Sequence, residues 1–183
     1  RLTRLDMSEY SDPWSVKRLI GGEEMGILVS RVRDRPFQVL LFDEVEKAHP
    51  DFFDLLLQVL GDARLSDTSG RLADFSNCLI LMTSNLGADR FHKGPLGLRE
   101  QSQQGGFLEA VRAAFRPELL NRIDEIIPFH PLSPDTVLRI CRQELSRLTS
   151  REGLRNRPIE VVVGSGVDEH LASKGYHKLY GAR

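Results

Sequence analysis

The chain has 183 residues, of which 40% are hydrophobic and 28% charged, and its formal net charge is -1. This length and composition suit one medium globular domain, or one domain with a small appendage. The near-neutral charge gives no general electrostatic reason to bind nucleic acid or a membrane surface. No apolar run approaches the roughly 20 residues of a membrane-spanning helix. We therefore expect neither nucleic-acid nor membrane partners.

The two cysteines, Cys78 and Cys141, lie far apart in apolar contexts. Their spacing matches neither a metal site nor a redox pair, so we predict buried free thiols, which fit a reducing, cytoplasmic location. The opening stretch RLTRLDMSEY is unlike a signal peptide and lacks an initiating methionine. Its pattern is typical of a β-strand that begins at or before the first residue. We therefore expect the chain to be a fragment, or the ordered part, of a longer protein.

Short apolar runs bounded by proline, glycine or polar residues predict buried strands. Asp67 to Gly70 has the composition of a turn between two short extended pieces. The predicted strands are the opening one and those over residues 37–42, 77–85, 125–132 and 159–163.

Helices are predicted where apolar residues recur at helical spacing or where proline can occupy a first turn. The first of them stops near Gly61, and the polar, glycine-rich stretch 87–106 is predicted to be a mobile loop. The predicted helices cover about 50–60, 107–115, 117–124, a stretch that begins at Ser133 and Pro134, and 166–175.

Strands that alternate with helices predict an α/β core with a parallel sheet. The turn-rich segment 130–134 (HPLSP) is the expected boundary within the chain. We accordingly expect a large α/β subdomain over residues 1–131. A small C-terminal subdomain over residues 132–183, built from helix, strand and helix, is expected to act as a lid.

Two adjacent carboxylates, Asp43 and Glu44, end the apolar run VLLFDE. Polar residues Thr83 to Asn85 end the next long apolar run, and ligands of open parallel sheets bind outside the carboxyl ends of the strands. An Asp in this position suits Mg²⁺ that keeps waters and phosphate oxygens, and the following Glu can polarise an attacking water. The alternative is that the two carboxylates merely begin a solvated loop.

Five segments carry a family resemblance: RLDMSEY, VLLFDEVEKAHPDFFDLLLQVL, GRLADFSNCLILMTSNLG, FRPELLNRIDEIIPFHPLS and the terminal YGAR. Together they resemble the Clp family of AAA+ ATPases, and specifically its second, C-terminal nucleotide-binding module. The segments follow the family order over nearly the whole chain. The resemblance implies an AAA+ large domain with a three-layer parallel sheet, followed by a small, mainly helical lid domain.

The resemblance also implies roles for the residues at the strand ends. LLFDE matches the family's Walker B strand, which makes Asp43 the magnesium-associated acid and Glu44 the base that activates water. TSN matches sensor 1, whose role falls on Asn85 as the side chain that orients the water or touches the γ-phosphate.

Two arginines receive roles from the same resemblance. LLNRID matches the arginine-finger segment, so Arg122 would reach the γ-phosphate bound by a neighbouring subunit. The alternative for Arg122 is an ion pair with Asp124 or Glu125. The terminal GAR matches sensor 2, so Arg183 would reach the phosphates from the small domain; its alternative is a solvated tail.

Two pieces of the family pattern are missing. No phosphate loop of the form G-x-x-x-x-G-K-[ST] occurs; it would precede Arg1, and without it this chain is expected to bind ATP poorly. The glycine–aromatic pore loop, which grips the threaded polypeptide in the family, is absent between Gly21 and Gly22. Either these pieces belong to a longer chain and were left out, or the protein has lost them.

The resemblance implies an enzyme that uses ATP and Mg²⁺ and couples ATP hydrolysis to the unfolding or disaggregation of proteins. The expected partners are unfolded or aggregated protein substrates, further copies in a ring that is expected to be hexameric, and a co-chaperone or a protease. The alternative is a nucleotide-blind scaffold of the same fold that mediates assembly or binds a partner. The missing phosphate loop favours the scaffold, whereas Glu44, Asn85 and Arg122 favour the enzyme.

Overall fold

The computed structural model describes residues 1–21, 26–87, 100–130, 132–155, 161–177 and 181–182. The chain divides into two compact units, residues 1–127 and residues 128–183. Within the described ranges, no helix is both long and apolar enough to cross a lipid bilayer.

The strands of the first unit are β1 (Leu2–Asp6), β2 (Gln38–Asp43), β3 (Arg64–Ser66), β4 (Leu72–Asp74) and β5 (Cys78–Met82). Strands β1, β2 and β5 form a parallel sheet with β2 in the centre, which confirms the predicted α/β class. Asp6 lies beside Asp43, and Phe42 lies beside Met82. Because parallel strands run in one direction, their carboxyl ends share one edge of the sheet.

Among the described residues, the α-helices of the first unit are α1 (Pro13–Ile20), α2 (Ile27–Asp34), α3 (Pro50–Asp62), α4 (Glu100–Ala114) and α5 (Pro117–Leu120). Neither α1 nor α2 is among the elements that the sequence patterns predict. A capping box nevertheless marks the start of α1, since Asp12 and Ser15 each bond the backbone N–H of the other (3.0 and 3.3 Å).

The apolar core holds the central strand in place. Leu40 and Phe42 of β2 are fully buried, and the ring of Phe42 meets the ring of Phe52 edge-on with centroids 5.2 Å apart. Burying a side chain of this size contributes about 1.5–3 kcal/mol. The position at which β2 leaves the core is therefore fixed by packing. The other fully buried side chains from α2 and α3 are Leu28, Val29, Val32 and Leu56.

The helix after β2 begins where it is predicted but ends later than predicted. Helix α3 continues through Gly61 to Asp62 and ends where Ala63 adopts a left-handed backbone with φ 51°. Strands β3 and β4 then form an antiparallel hairpin, which confirms the predicted turn between two extended pieces.

Asp67 organises the turn of this hairpin. Its carboxylate accepts the backbone N–H groups of Ser69 (2.9 Å) and Arg71 (2.8 Å) and pairs with the guanidinium of Arg71 (2.6 Å). Burial raises the pKa of the Asp67 carboxyl, but these donors outweigh burial and hold the pKa below its ordinary value.

The predicted loop over residues 87–106 is wrong for residues 100–106, which form the first half of α4. Two glycines, Gly105 and Gly106, lie in that half, and each disfavours a helix by about 1 kcal/mol relative to alanine. Residues 88–99 lie outside the described part. The helices predicted over 107–115 and from Pro117 are confirmed, although the second is short.

The predicted strand over residues 125–132 is wrong, since residues 125–130 form no strand. Pro128 has no backbone N–H to offer a neighbouring strand. Ile127 is 62% exposed and Phe129 is 87% exposed, so this apolar run does not enter the described core. Apolar composition alone does not make a strand, because a strand also needs a partner.

The second unit contains α6 (Pro134–Thr149), α7 (Glu152–Arg155), α8 (Val167–Gly175), β6 (Tyr176–His177) and β7 (Gly181–Ala182). Helix α6 begins as predicted, with the hydroxyl of Ser133 accepting the N–H of Thr136 at 3.2 Å. The predicted strand over 159–163 is wrong for residues 161–163, which form no strand. Residues 159 and 160 lie outside the described part.

Candidate active site at the carboxyl end of the sheet

Two strand ends meet at the edge where the acidic pair lies. The backbone N–H of Thr83 donates to the carbonyl of Phe42, and the N–H of Val45 donates to the carbonyl of Thr83, both at 3.0 Å. These bonds extend the pairing of β2 and β5 past the ends of both strands. Asp43 and Glu44 are thereby placed directly beside the Thr83–Asn85 segment.

The carboxylate of Asp43 is held from two sides. The hydroxyl of Thr83 donates to Oδ1, and the guanidinium of Arg4, from β1, donates to Oδ2 with Nε at 2.9 Å. The Thr83 hydroxyl, and after it Arg4, hold the pKa of Asp43 below its ordinary value. Asp43 is therefore ionised at neutral pH, as a ligand for a cation must be.

Glu44 has an unusual backbone and a well-defined carboxylate. Its φ of 56° and ψ of 51° are left-handed, which is uncommon outside glycine and typical of functional sites. Its backbone N–H donates to the hydroxyl of Thr83 at 3.0 Å. The carboxylate pairs through Oε2 with Lys47 Nζ at 2.5 Å, and Oε1 accepts from Asn85 Nδ2 at 3.4 Å. The bond to Glu44 raises the pKa of Lys47.

Asn85 is fixed from its backbone side by a second glutamate. Its N–H donates to Glu46 Oε1 at 3.0 Å, while Glu46 Oε2 is buried without a hydrogen-bond partner among the described residues. The amide of Asn85 is thus directed at Glu44 by the segment that follows the acidic pair.

Arg122 lies elsewhere in the first unit. Its side chain is exposed, and Nη1 donates to the backbone carbonyl of Leu57 in α3, beside Gly61. Among the described residues it forms no ion pair with Asp124 or Glu125, so the intrachain pair considered from the sequence is not formed.

The structure therefore brings together three of the five residues singled out from the sequence: Asp43, Glu44 and Asn85. Arg122 contacts α3 instead. Arg183 lies outside the described residues.

Arg4, Glu46 and Lys47 also belong to this cluster, although the sequence patterns above do not predict them there. Glu46 and Lys47 follow the acidic pair within one turn, a spacing that a closer reading of the motif can detect. Arg4 has no such signal, because only the register of β1 against β2 brings it to Asp43.

The residues fit a magnesium ion that is held mostly by other groups. The described part of the chain contains no cluster of three or more His, Cys, Asp or Glu side chains able to hold a metal. Mg²⁺ commonly takes only one or two carboxylates and completes its shell with waters and phosphate oxygens. A carboxylate has about four lone-pair sites, so Asp43 can keep both of its observed partners and still serve such an ion.

Two family profiles cover most of the chain. The profile described as AAA domain (Cdc48 subfamily) matches residues 1–126. The profile of the C-terminal, D2-small domain of the ClpB protein matches residues 132–183.

Curated relatives match over the whole chain. It is 50% identical to the chaperone protein ClpB of Rhizobium meliloti (strain 1021) over 191 residues and 44% identical to ClpB of Vibrio vulnificus (strain CMCP6) over 189 residues. Each match covers 100% of this chain and 22% of the relative, so the chain spans about a fifth of the length of these relatives.

Solved structures of Hsp104 share the fold. A closed-state reconstruction of Hsp104 with ATPγS and FITC casein has a TM-score of 0.84 at 37% identity. The extended conformation of the S. cerevisiae Hsp104–casein complex has a TM-score of 0.85 at 36% identity. Both cover 100% of this chain and 33% of the other. The chain therefore belongs to the AAA domain family, and within it to the Clp type, as a part of the second nucleotide-binding module with its small C-terminal domain.

Proposed function

We propose that the carboxyl edge of the sheet is the hydrolytic part of an ATPase site. The observation that carries this proposal is the contact of Glu44 Oε1 with Asn85 Nδ2 at 3.4 Å. A base and an amide that act on one water molecule have to face the same crevice. Glu44 would accept the proton of the attacking water, and Asn85 would orient that water or touch the γ-phosphate.

Asp43 is proposed to be the magnesium-associated acid of this site. It is ionised and held rigidly at the strand end, and it fits Mg²⁺ as one ligand among waters and phosphate oxygens. The ion, when bound, neutralises the charge that develops on the phosphate oxygens. This chain has no G-x-x-x-x-G-K-[ST] sequence, so we propose that the phosphates of ATP require a segment that this sequence does not include.

The two arginines are proposed to act from outside this cluster. Arg122 is exposed and contacts no member of the acidic cluster among the described residues, which suits a finger directed at the site of a neighbouring subunit. Arg183, at the end of the second family segment, is proposed to be the sensor 2 residue. The division into a large subdomain, residues 1–131, and a small one, residues 132–183, remains part of the proposal.

For the whole protein we propose an ATP-dependent unfoldase or disaggregase of the Clp type. One related structure holds ATPγS and both hold casein, which supports ATP as the nucleotide and polypeptides as substrates. We propose a hexameric ring, a co-chaperone or protease partner and a cytoplasmic location, with no nucleic-acid or membrane partner.

The pore loop of such a machine is not found in this sequence. The alignment to the Rhizobium meliloti relative is 191 residues long, eight more than this chain, so that relative carries residues with no counterpart here. We propose that some of these residues fall in the expected gap between Gly21 and Gly22; Gly22 itself lies outside the described part. We propose that substrate grip depends on that segment.

The test compares two glutamine variants of the full-length protein. Glu44→Gln removes the proposed base but keeps its shape, and we expect turnover to fall roughly 10²–10⁴-fold with ATP binding unchanged. Glu144→Gln, at an exposed glutamate paired with Arg147, is the matched control and keeps wild-type turnover. Unchanged turnover in Glu44→Gln would remove Glu44 from this role. A protein that binds no ATP would favour the nucleotide-blind scaffold.

A further inference from the structure

The hydroxyl of Thr83 lies between the two carboxylate residues and touches both. It donates to Asp43 Oδ1, and it accepts the backbone N–H of Glu44 at 3.0 Å. The carbonyl of the same threonine accepts the next N–H, that of Val45, also at 3.0 Å. The backbone N–H groups of two successive residues, Glu44 and Val45, therefore both donate to Thr83, the residue that directly follows β5.

We propose that Thr83 is a positioning residue that sets the geometry of both carboxylates through its hydroxyl group. This inference rests on the proposed function, because it concerns the residues assigned there to the metal and to the water. We assign Thr83 no contact with the metal or with the attacking water; it acts through its hydrogen bonds to Asp43 and Glu44.

The hydrogen bonds have a fixed direction. A hydroxyl group has one proton to donate and can also accept. Since the N–H of Glu44 can only donate, it occupies an acceptor site on the hydroxyl oxygen. The hydroxyl proton is then directed at Asp43, whose ionised carboxylate can only accept. The two hydrogen bonds, from the Glu44 N–H to the Thr83 hydroxyl and from that hydroxyl to the Asp43 carboxylate, point in the same direction. Each bond polarises the hydroxyl group and so strengthens the other.

The backbone of Glu44 explains why such a link is needed. A left-handed residue other than glycine costs roughly 1–3 kcal/mol and persists only where neighbouring groups hold it. At Glu44 the bond to Thr83 Oγ1 supplies that hold at the strained residue itself. When the hydroxyl is lost, the N–H of Glu44 loses its acceptor and the turn can relax. The carboxylate would then leave its contact with Asn85.

Two substitutions separate the effect of the Thr83 hydroxyl from the effect of the side chain's size. Thr83→Val removes the hydroxyl and keeps the branched shape, whereas Thr83→Ser keeps the hydroxyl and loses a methyl group. In the full-length protein we expect Thr83→Val to lower kcat roughly 10- to 100-fold, the size of effect that a misplacement of catalytic groups produces. KM for ATP is expected to change little. Thr83→Ser is expected to stay close to wild type.

A second measurement does not depend on turnover. Amide hydrogen exchange in the nucleotide-free protein follows the N–H of Glu44, whose described acceptor is the Thr83 hydroxyl. We expect faster exchange at residue 44 in Thr83→Val and wild-type exchange in Thr83→Ser, with unchanged exchange in the buried strand β2. A merely structural role would speed exchange throughout β2 as well.

The outcomes separate this inference from the proposed function. Either a wild-type kcat or wild-type exchange at residue 44 in Thr83→Val would overturn the positioning role. Equal losses in the valine and serine variants would also overturn it, because the hydroxyl would then not be the cause. Glu44→Gln is measured in parallel. If Glu44→Gln loses turnover and Thr83→Val does not, only the inference fails; if Glu44→Gln retains turnover, the proposed function fails and the inference falls with it.

Discussion

The acidic strand end and Arg122 are held in opposite ways, although we assign both to the same reaction. Asp43 and Glu44 are bound by side chains from β1, from the segment after β5 and from the turn after β2. Arg122 is exposed, and among the described residues its guanidinium makes a single hydrogen bond, to the carbonyl of Leu57.

This difference distinguishes groups that act within their own chain from one that is proposed to act on another. A base must be placed before the reaction begins, and its own chain provides the contacts that place it. A hydrogen bond from a charged donor contributes at most about 1.5–3 kcal/mol, and Arg122 makes only this one among the described residues, from an exposed side chain. A neighbour's phosphate charge can replace it, so a weakly held arginine suits a finger that completes a site between subunits.

The largest expected effect comes from removing the weakly held group. Arg122→Ala in the full-length protein is expected to lower ATP turnover roughly 10³–10⁵-fold, because transition-state charge loses its stabilising cation. Arg116→Ala is the matched control, since this exposed arginine also contacts α3, through Asp54 at 2.5 Å, and its loss should leave turnover unchanged.

Mixed assemblies decide which site Arg122 completes. Rings that combine Arg122→Ala subunits with Glu44→Gln subunits should regain ATP turnover, because a subunit with an intact base can receive its arginine from the neighbour. Mixed rings that stay as inactive as either parent would mean that Arg122 serves its own chain.

A smaller effect on stability is expected from changing Gly61, the residue of α3 beside the Arg122 guanidinium. A side chain at Gly61 would overlap the guanidinium of Arg122, which is the flexible end of a long side chain and can move. Gly61→Ala is expected to raise the free energy of unfolding by about 0.5–1 kcal/mol, because alanine favours the helix, and to leave turnover unchanged. Denaturant unfolding and an ATPase assay measure the two quantities. Turnover that falls as in Arg122→Ala would show that the contact with α3 matters for activity.

The smallest expected effect is on acid stability and comes from Arg4, which contacts Asp43 at the acidic strand end. The pKa of Asp43 is depressed, so its contribution to stability is present above the unfolded pKa and is lost as pH falls through the folded pKa. Arg4→Gln removes one of the causes and raises the pKa of Asp43 toward its ordinary value. Acid unfolding should therefore begin at slightly higher pH.

Thermal unfolding midpoints across the acid range measure this shift. Arg139→Gln, which removes an exposed ion pair with Asp135 at 3.7 Å, is the control and should leave the acid profile unchanged. An identical profile for Arg4→Gln and wild type would mean that Arg4 does not perturb Asp43 in solution.

The sequence predicts the centre of the site better than its surroundings. Asp43, Glu44 and Asn85 follow long apolar runs, and parallel strands deliver their carboxyl ends to one edge, so local patterns suffice to bring them together. The contact of Arg4 with Asp43 depends on the register of β1 against β2, in which Asp6 lies beside Asp43. That register arises from packing across the sheet and has no local signal.

Local patterns indicate the wrong structure in two segments. Gly105 and Gly106 indicate a loop, yet both lie in α4. The apolar run around Pro128 indicates a strand, yet residues 125–130 form none. In the second segment no strand forms over residues 125–130, and whether an apolar run finds a partner strand is not encoded in its own amino acids.

The most direct test of the account is a double-mutant cycle on Glu44 and Asn85 in the full-length protein, with ATP turnover as the measured quantity. If the two side chains act together on one water molecule, the double variant of Glu44→Gln and Asn85→Ala should lose no more turnover than Glu44→Gln alone. Losses that multiply in the double variant would contradict it, because the two groups would then act independently.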